Sequence, residues 1–333
     1  MFDRRFSVAP MMDWTDRHDR YFLRLIAPHV LLYTEMITTG ALIHGDRARF
    51  LAFDPSEHPL ALQLGGSDPE ALARSAKWAA DAGYDEVNLN VGCPSARVKS
   101  GRFGACLLRE PELVSECIAA MKAAVTIPIS LKCRIGVDEH DSHEVLAHFV
   151  ESVAKAGCQI FIIHARKAWL SGLSPKQNRE VPPLCYERVR QIKQAFPHLT
   201  IIVNGGISTL SEIETHLQWA DGVMLGRAAY SNPYFLADIE QRYFPSGAIL
   251  LTREEVVEKY ILYLVQQIKN NVKLSAMTRH ILGLFQGQPG AKRWRRYLSE
   301  NAYLPQAGVE VVRNALADEA DDEKQTLRRP PPA

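Results

Sequence analysis

The sequence lacks the marks of several protein classes. Its six cysteines include no C-x-x-C pair and are too sparse in 333 residues for a disulfide framework, so reduced thiols are expected. Its densest apolar stretch, Tyr260 to Val265, falls far short of the roughly 18 residues that span a bilayer. The opening MFDRRFSVAPMMDW carries charges and Pro10 where a secretion signal needs an apolar run. No membrane partner and a cytoplasmic location are therefore expected. An excess of one charge is missing too: 39 Lys+Arg against 38 Asp+Glu leave a net charge of +1, which speaks against whole-surface attraction to nucleic acid. With 47% hydrophobic and 23% charged residues, collagen-like and fully disordered chains are excluded.

What is present is repetition. Eight short apolar, β-branched runs occur at 6–10, 31–37, 60–66, 86–92, 128–136, 160–166, 200–207 and 222–227. Segments such as PEALARSAKWAADAG, with apolar positions at a 3.6 period and a closing Gly, separate them as helices would. Strand–helix alternation implies parallel strands with right-handed crossovers, and eight units in about 230 residues fit a (β/α)8 TIM barrel. From about residue 250 to 317 only helical patterns follow. The expected organisation is a barrel over 1–245, a small all-helical domain over 246–317 and a charged, Pro-rich, mobile tail over 318–333.

Polar residues collect at the C-terminal ends of these runs, where barrel active sites are built: Met11, Glu35, Gln63, Asn88 and Asn90, Lys132 and Arg134, His164 and Arg166, Asn204, and Arg227. The NGGI turn (204–207) and the GR pair Gly226–Arg227 end the seventh and eighth runs, where loops frequently hold a phosphate. Gly205 and Gly206 would allow close backbone approach. Lys132 inside a strand has two functional readings, a Schiff-base lysine or a cation beside a flavin ring. Cys93 differs from Cys106, Cys117, Cys133 and Cys158, which read as inert core thiols, because it lies in a Gly–Pro loop on the active face. Cys185, in a loop, is left undecided. A thiol of pKa about 8.5 stays mostly protonated at neutral pH and can act as a general acid.

Together APMMDWTD, LALQLGGS, LNVGCPS, SLKCRIG, HARK, NGGI and GR resemble the signature segments of bacterial tRNA-dihydrouridine synthases, and GLSPKQNREVPPL (172–184) resembles the A branch of that family. The resemblance runs over about residues 5–310. It implies an FMN-binding oxidoreductase driven by NADPH, acting on D-loop uridines of tRNA at conventional positions 20 and 20a. Hydride would pass to uridine C6 and a proton from Cys93 to C5. By motif position, Pro10, Met11, Met12, Gln63, Lys132 and His164 would surround the isoalloxazine. Asn204, Gly205, Gly206, Gly226 and Arg227 would hold the phosphate end. Asn90, with Arg134 and Arg166, would meet the substrate, and Lys176 and Arg179 would touch tRNA at its D-loop and elbow. No metal and no obligate protein partner are implied.

The C-terminal segment points to RNA independently. From Lys259 to Ser299 there is no Asp or Glu, while Lys259, Lys269, Lys273, Arg279, Lys292, Arg293, Arg295 and Arg296 supply eight cations, a phosphate-binding footprint. Arg293 and Arg296 are the expected contacts there. Trp294 and Tyr297 interleave with the arginines and could stack on unpaired bases; alternatively Trp294 belongs to the core. An acidic stretch, Asp318, Glu319, Asp321, Asp322 and Glu323, offsets the basic one. The rival readings are an FMN barrel acting on a free pyrimidine such as dihydroorotate, a Schiff-base aldolase, and a noncatalytic RNA-binding barrel.

Overall fold

A computed structural model describes residues 2–245 and 249–317; the expected tail, with its acidic stretch, lies outside the described residues. The eight runs form eight strands: β1 Phe6–Val8, β2 Leu32–Thr38, β3 Leu60–Gly65, β4 Glu86–Val91, β5 Ile129–Arg134, β6 Ile160–His164, β7 Thr200–Asn204 and β8 Gly222–Leu225. All neighbours pair in parallel, in the order β1-β8-β7-β6-β5-β4-β3-β2. The ring closes where Ser7 bridges Leu31, with the Val8 N–H donating to the Leu31 carbonyl at 3.0 Å. This is the expected (β/α)8 barrel.

The crossover helices begin where the sequence supplies caps. Asp68 accepts from the Ala71 N–H ahead of the helix Pro69–Ala82, and Gly83, at φ 97°, ends it. Thr209 and Glu212 form a reciprocal capping box ahead of Leu210–Leu217. Further helices at Pro111–Ala124, His143–Lys155 and Tyr186–Ala195 present Val114, Ile118, Phe149, Val153 and Ile192 as buried faces.

The barrel interior is filled by Ala9, Leu31, Tyr33, Ala61, Ile162, Ile202 and Met224. Residues in register share a face. Ala61 lies opposite Glu86, and Lys132 lies opposite Ile162. The interior therefore also receives Glu86, Asn88 and Asn90 from β4, and Ser130, Lys132 and Arg134 from β5. Their alternates Val87, Leu89, Val91, Leu131 and Cys133 are buried on the other face.

Two compact units emerge. One joins residues up to 15 with 31–226; the other joins 16–30 with everything described from 227 onward. The boundary between these units falls at 226/227, and the helix Arg17–Ile26, a crossover by sequence position, groups with the C-terminal helices. Burial explains this grouping. The Tyr21 ring stacks on Tyr263 at 4.0 Å, Asp16 pairs with Arg279 at 2.6 Å, and His18 Nδ1 lies 2.7 Å from the Tyr263 hydroxyl. The second unit also holds the long helix Arg253–Lys269 and the helix Ala291–Asn301. Among the described residues no helix is long and apolar enough to cross a membrane.

Candidate active site

The C-terminal ends of β5, β6 and β7 bring Lys132, His164 and Asn204 together. Lys132 Nζ donates to Asn204 Oδ1 at 3.0 Å, and Asn204 Nδ2 donates to the Met224 carbonyl at 2.8 Å. Burial, with the Arg134 charge beside it, pulls the Lys132 ammonium down to about 8. Burial and the cations Arg134, Lys132 and Arg166 hold His164 well below the ordinary imidazole range, so its ring is neutral. His164 Nδ1 is buried and meets no partner among the described residues. A buried polar atom without a partner costs free energy, and at a barrel mouth it is the kind of atom a ligand satisfies.

The turn after β7 is shaped by its two glycines. Gly205 (φ 115°) and Gly206 (φ 74°) take left-handed backbone. A Cβ on Gly206 would sit 2.6 Å from Leu184 Cδ1, and one on Gly205 would sit 3.0 Å from His164 Nε2. The Tyr186 hydroxyl donates to the Gly205 carbonyl at 2.5 Å, a tie the sequence did not reveal. After β8, a Cβ at Gly226 would meet nothing within 4 Å, leaving its backbone open. Pro10 and Met11 follow β1, where Met11 exchanges hydrogen bonds with Thr15 and packs against the barrel core, whereas Met12 is exposed.

Cys93 sits in the loop after β4, partly exposed. Its N–H and that of Gly92 both donate to Asn90 Oδ1, at 3.0 and 3.1 Å, its carbonyl accepts from the Ala105 N–H at 2.9 Å, and its thiol donates to Ser95 Oγ at 3.5 Å. Cys117, Cys133 and Cys158 are buried, and burial pushes each up to about 12, which is the inert state expected of them. Cys106 is partly exposed, and its thiol is also raised by burial. Asn90 Nδ2 donates to Gln63 Oε1 at 2.8 Å.

Arg134 has a more specific place than the sequence suggested. It is buried and donates to the carbonyls of Gly92, Lys167 and Asn178, at 3.0, 3.0 and 2.9 Å, fastening the cysteine loop to the long loop after β6. Burial pulls its pKa down to about 10. Arg166 donates to the carbonyls of Glu180 and Pro182 in that same loop. Lys176, which precedes the turn Gln177–Arg179, and Arg179, which ends it, are exposed. In the helical unit, Lys259, Lys269, Lys273, Lys292, Arg293 and Arg296 are exposed, whereas Arg279 is committed to Asp16. Of the two readings of Trp294, stacking on bases and core, the second holds: it is 1% exposed, its Nε1 donates to the Ile281 carbonyl at 3.0 Å, and its ring packs edge-on to Phe285 at 4.8 Å. It is core. Among the described residues no group of three His, Cys, Asp or Glu side chains could hold a metal ion.

A parallel eight-stranded barrel with a thiol, a buried ammonium, a neutral histidine and a double-glycine turn at its C-terminal rim defines a barrel enzyme. A family model described as "Dihydrouridine synthase (Dus)" matches residues 7–321, and the chain belongs to that family. It is 59% identical over 313 residues to a protein of Shewanella oneidensis named tRNA-dihydrouridine(20/20a) synthase, covering 94% of this chain and 93% of that one. A protein of the same name from Vibrio vulnificus is 60% identical over 314 residues, covering 94% and 96%. Another from Escherichia coli (strain K12) is 56% identical over 318 residues, covering 95% and 92%. Among solved structures the chain resembles morphinone reductase, with a TM-score of 0.51 and 14% identity over 74% of this chain and 87% of that one, a likeness of fold.

Proposed function

We propose that the chain reduces the C5–C6 double bond of uridine in tRNA to 5,6-dihydrouridine, at the positions 20 and 20a that its relatives' names carry. FMN is the bound cofactor, NADPH the reductant and the cytoplasm the place of action. The observation that carries this reading is the buried, unpartnered Nδ1 of His164 beside the Gly205–Gly206 turn at the mouth of the barrel, in a chain of the dihydrouridine synthase family.

These residues fit a flavin. His164 Nδ1 is a buried polar atom in need of a partner, Lys132 is a cation suited to an electron-rich ring edge, and the Gly205–Gly206 turn admits close backbone approach. Lys132, His164 and Gln63 would hold the ring with Pro10, Met11 and Met12 alongside. Asn204, Gly205, Gly206, Gly226 and Arg227 would hold the phosphate. When bound, the flavin supplies the hydride that saturates uridine C6.

The chain supplies the rest. Cys93 Sγ carries the proton that goes to C5, and the Asn90 bonds to two backbone N–H groups fix where that thiol stands. Asn90 Nδ2 spends one hydrogen on Gln63 and keeps the other for the uracil. Arg134 holds the cysteine loop against the loop after β6, so that the uracil, once out of its stack, meets a fixed thiol. Lys176, Arg179, Arg293 and Arg296, exposed as phosphate contacts must be, grip the tRNA around its D-loop and elbow; Arg166 ties down the loop of the first pair through the Glu180 and Pro182 carbonyls.

The test is turnover of purified, FMN-loaded protein on unmodified tRNA beside free uridine and orotate. NADPH-dependent dihydrouridine in tRNA, with the free pyrimidines untouched, is expected. Equal turnover of a free pyrimidine overturns the assignment of tRNA.

A further inference from the structure

Below the active face, the barrel interior carries a row of polar side chains that the reaction does not consume. Starting at the far end, Arg4 Nε donates to Glu86 Oε2 at 3.0 Å. Glu86 Oε1 accepts from the Tyr33 hydroxyl at 2.8 Å and from Ser130 Oγ at 2.5 Å. Ser130 Oγ accepts from Asn88 Nδ2 at 2.8 Å. Asn88 Oδ1 accepts from Gln63 Nε2 at 2.8 Å, and Gln63 Oε1 accepts from Asn90 Nδ2 at 2.8 Å. Asn90 Oδ1 accepts from the N–H groups of Gly92 and Cys93. The row is continuous from one end of β4 to the cysteine loop. Glu86, Asn88 and Ser130 are fully buried.

Both ends of this row have a fixed polarity. A carboxylate paired with an arginine only accepts, and a backbone N–H only donates. Burial and the Glu86 charge hold the Tyr33 hydroxyl well above its ordinary range, so it too remains a donor. Ser130 must therefore donate to Glu86 and accept from Asn88, which turns the Asn88 carbonyl toward Gln63. That fixes the Gln63 amide, and the Gln63 amide fixes Asn90. Counted from the other end, the two loop N–H groups demand the same Asn90 orientation. Every donor faces an acceptor, and no amide in the row can turn over alone.

We infer that Glu86, Ser130 and Asn88 are positioning residues for the reaction proposed above: a buried carboxylate anchors a one-way hydrogen-bond row that orients Gln63 and Asn90 and so holds the Cys93 loop. None of the three touches substrate. Their effect passes through the direction of the bonds, which makes it separable from packing.

Glu86→Gln tests that direction without changing volume. The new amide must keep its oxygen toward Arg4, so its nitrogen faces Ser130 and Tyr33, and both must accept. Ser130, having lost its acceptor at position 86, is expected to donate to Asn88, whose amide turns over, followed by those of Gln63 and Asn90. The row ends with an Asn90 nitrogen facing two N–H donors. Adding Asn88→Asp repairs this, because the carboxylate introduced at position 88 accepts from Ser130 on one side and from Gln63 on the other. On its own, Asn88→Asp crowds two carboxylates around Ser130 but leaves everything above it correctly oriented.

The readout is alkylation of Cys93 by iodoacetamide in the full chain, followed peptide by peptide by mass spectrometry. It needs neither cofactor turnover nor tRNA, so failure of this inference and failure of the proposed reaction are read separately. Glu86→Gln is expected to raise the Cys93 rate by about fivefold to tenfold, the worth of a lost hydrogen bond. The double variant should return it to within about twofold of wild type. Asn88→Asp alone should lower the melting temperature and leave the Cys93 rate unchanged. If Glu86→Gln does not fold, the double variant is expected to fold. An unchanged Cys93 rate in Glu86→Gln, or a double variant no better than that single one, overturns the inference.

Discussion

Cys93 is set apart from the other thiols by its surroundings rather than by its sequence neighbours. Three of the other five are driven up to about 12 by burial, whereas Cys93 is partly exposed in the loop after β4, its thiol toward Ser95. Burial also tunes groups remote from the reaction. It holds His18 down at about 4, with the Tyr263 hydroxyl 2.7 Å from its ring. The folded value lies below the unfolded one, so the unfolded chain takes up this proton first as pH falls. Stability that is complete above pH 6.5 is then lost on the way to pH 4, by roughly 3 kcal/mol. Thermal melts at about pH 7 and about pH 4.5 check this, because the gap between the two melting temperatures should narrow in His18→Phe; an equal gap contradicts it.

Among the elements, the turn after β7 and the helix Ala291–Asn301 show how much the sequence disclosed. NGGI announced a special turn, and both glycines take left-handed backbone. Gly206→Ala, which brings a Cβ to 2.6 Å from Leu184 Cδ1, is expected to weaken FMN binding by about tenfold or more, read by flavin fluorescence titration. In the helix, the apolar spacing of Trp294 and Leu298 marks the buried face, but the run of arginines around Trp294 left its ring open between RNA stacking and the core. The core claimed it. Trp294→Ala should therefore cost about 3–5 kcal/mol of stability, measured by denaturant unfolding. The eight strands were legible because β-branched runs alternate with capped helices. Asn88, Asn90, Lys132 and Arg134 were legible as polar residues at strand ends, whereas Glu86 and Ser130, deeper in the same strands, were passed over. The partners of all six were not legible. Which amide meets which hydroxyl depends on the register of β3, β4 and β5, and a sequence does not print register. The grouping of Arg17–Ile26 with the C-terminal helices escaped for a similar reason, since it rests on long-range contacts such as Tyr21 with Tyr263.

For the whole molecule, the net charge of +1 conceals a division of labour. The second unit carries six exposed cations in a stretch of sequence without an acid, the surface proposed above to grip tRNA, and the total does not betray it. Binding of tRNA by the intact protein should weaken steeply with salt. Replacing Arg293 and Arg296 by alanine should lower the slope of log K against log salt by about 1 for each cation lost, with stability unchanged within about 0.5 kcal/mol. A slope equal to that of the wild type contradicts the assignment of this surface.

The proposed chemistry comes together at Cys93, the thiol assigned the proton transfer. The most direct measurement is dihydrouridine mapping of unmodified tRNA treated with NADPH and either the wild-type chain or Cys93→Ala, both loaded with FMN. The wild type is expected to place dihydrouridine at positions 20 and 20a, the sites in its relatives' names. Cys93→Ala is expected to bind FMN and tRNA as before and to react about a hundredfold or more slowly. A Cys93→Ala protein that fills those positions at the wild-type rate contradicts the account.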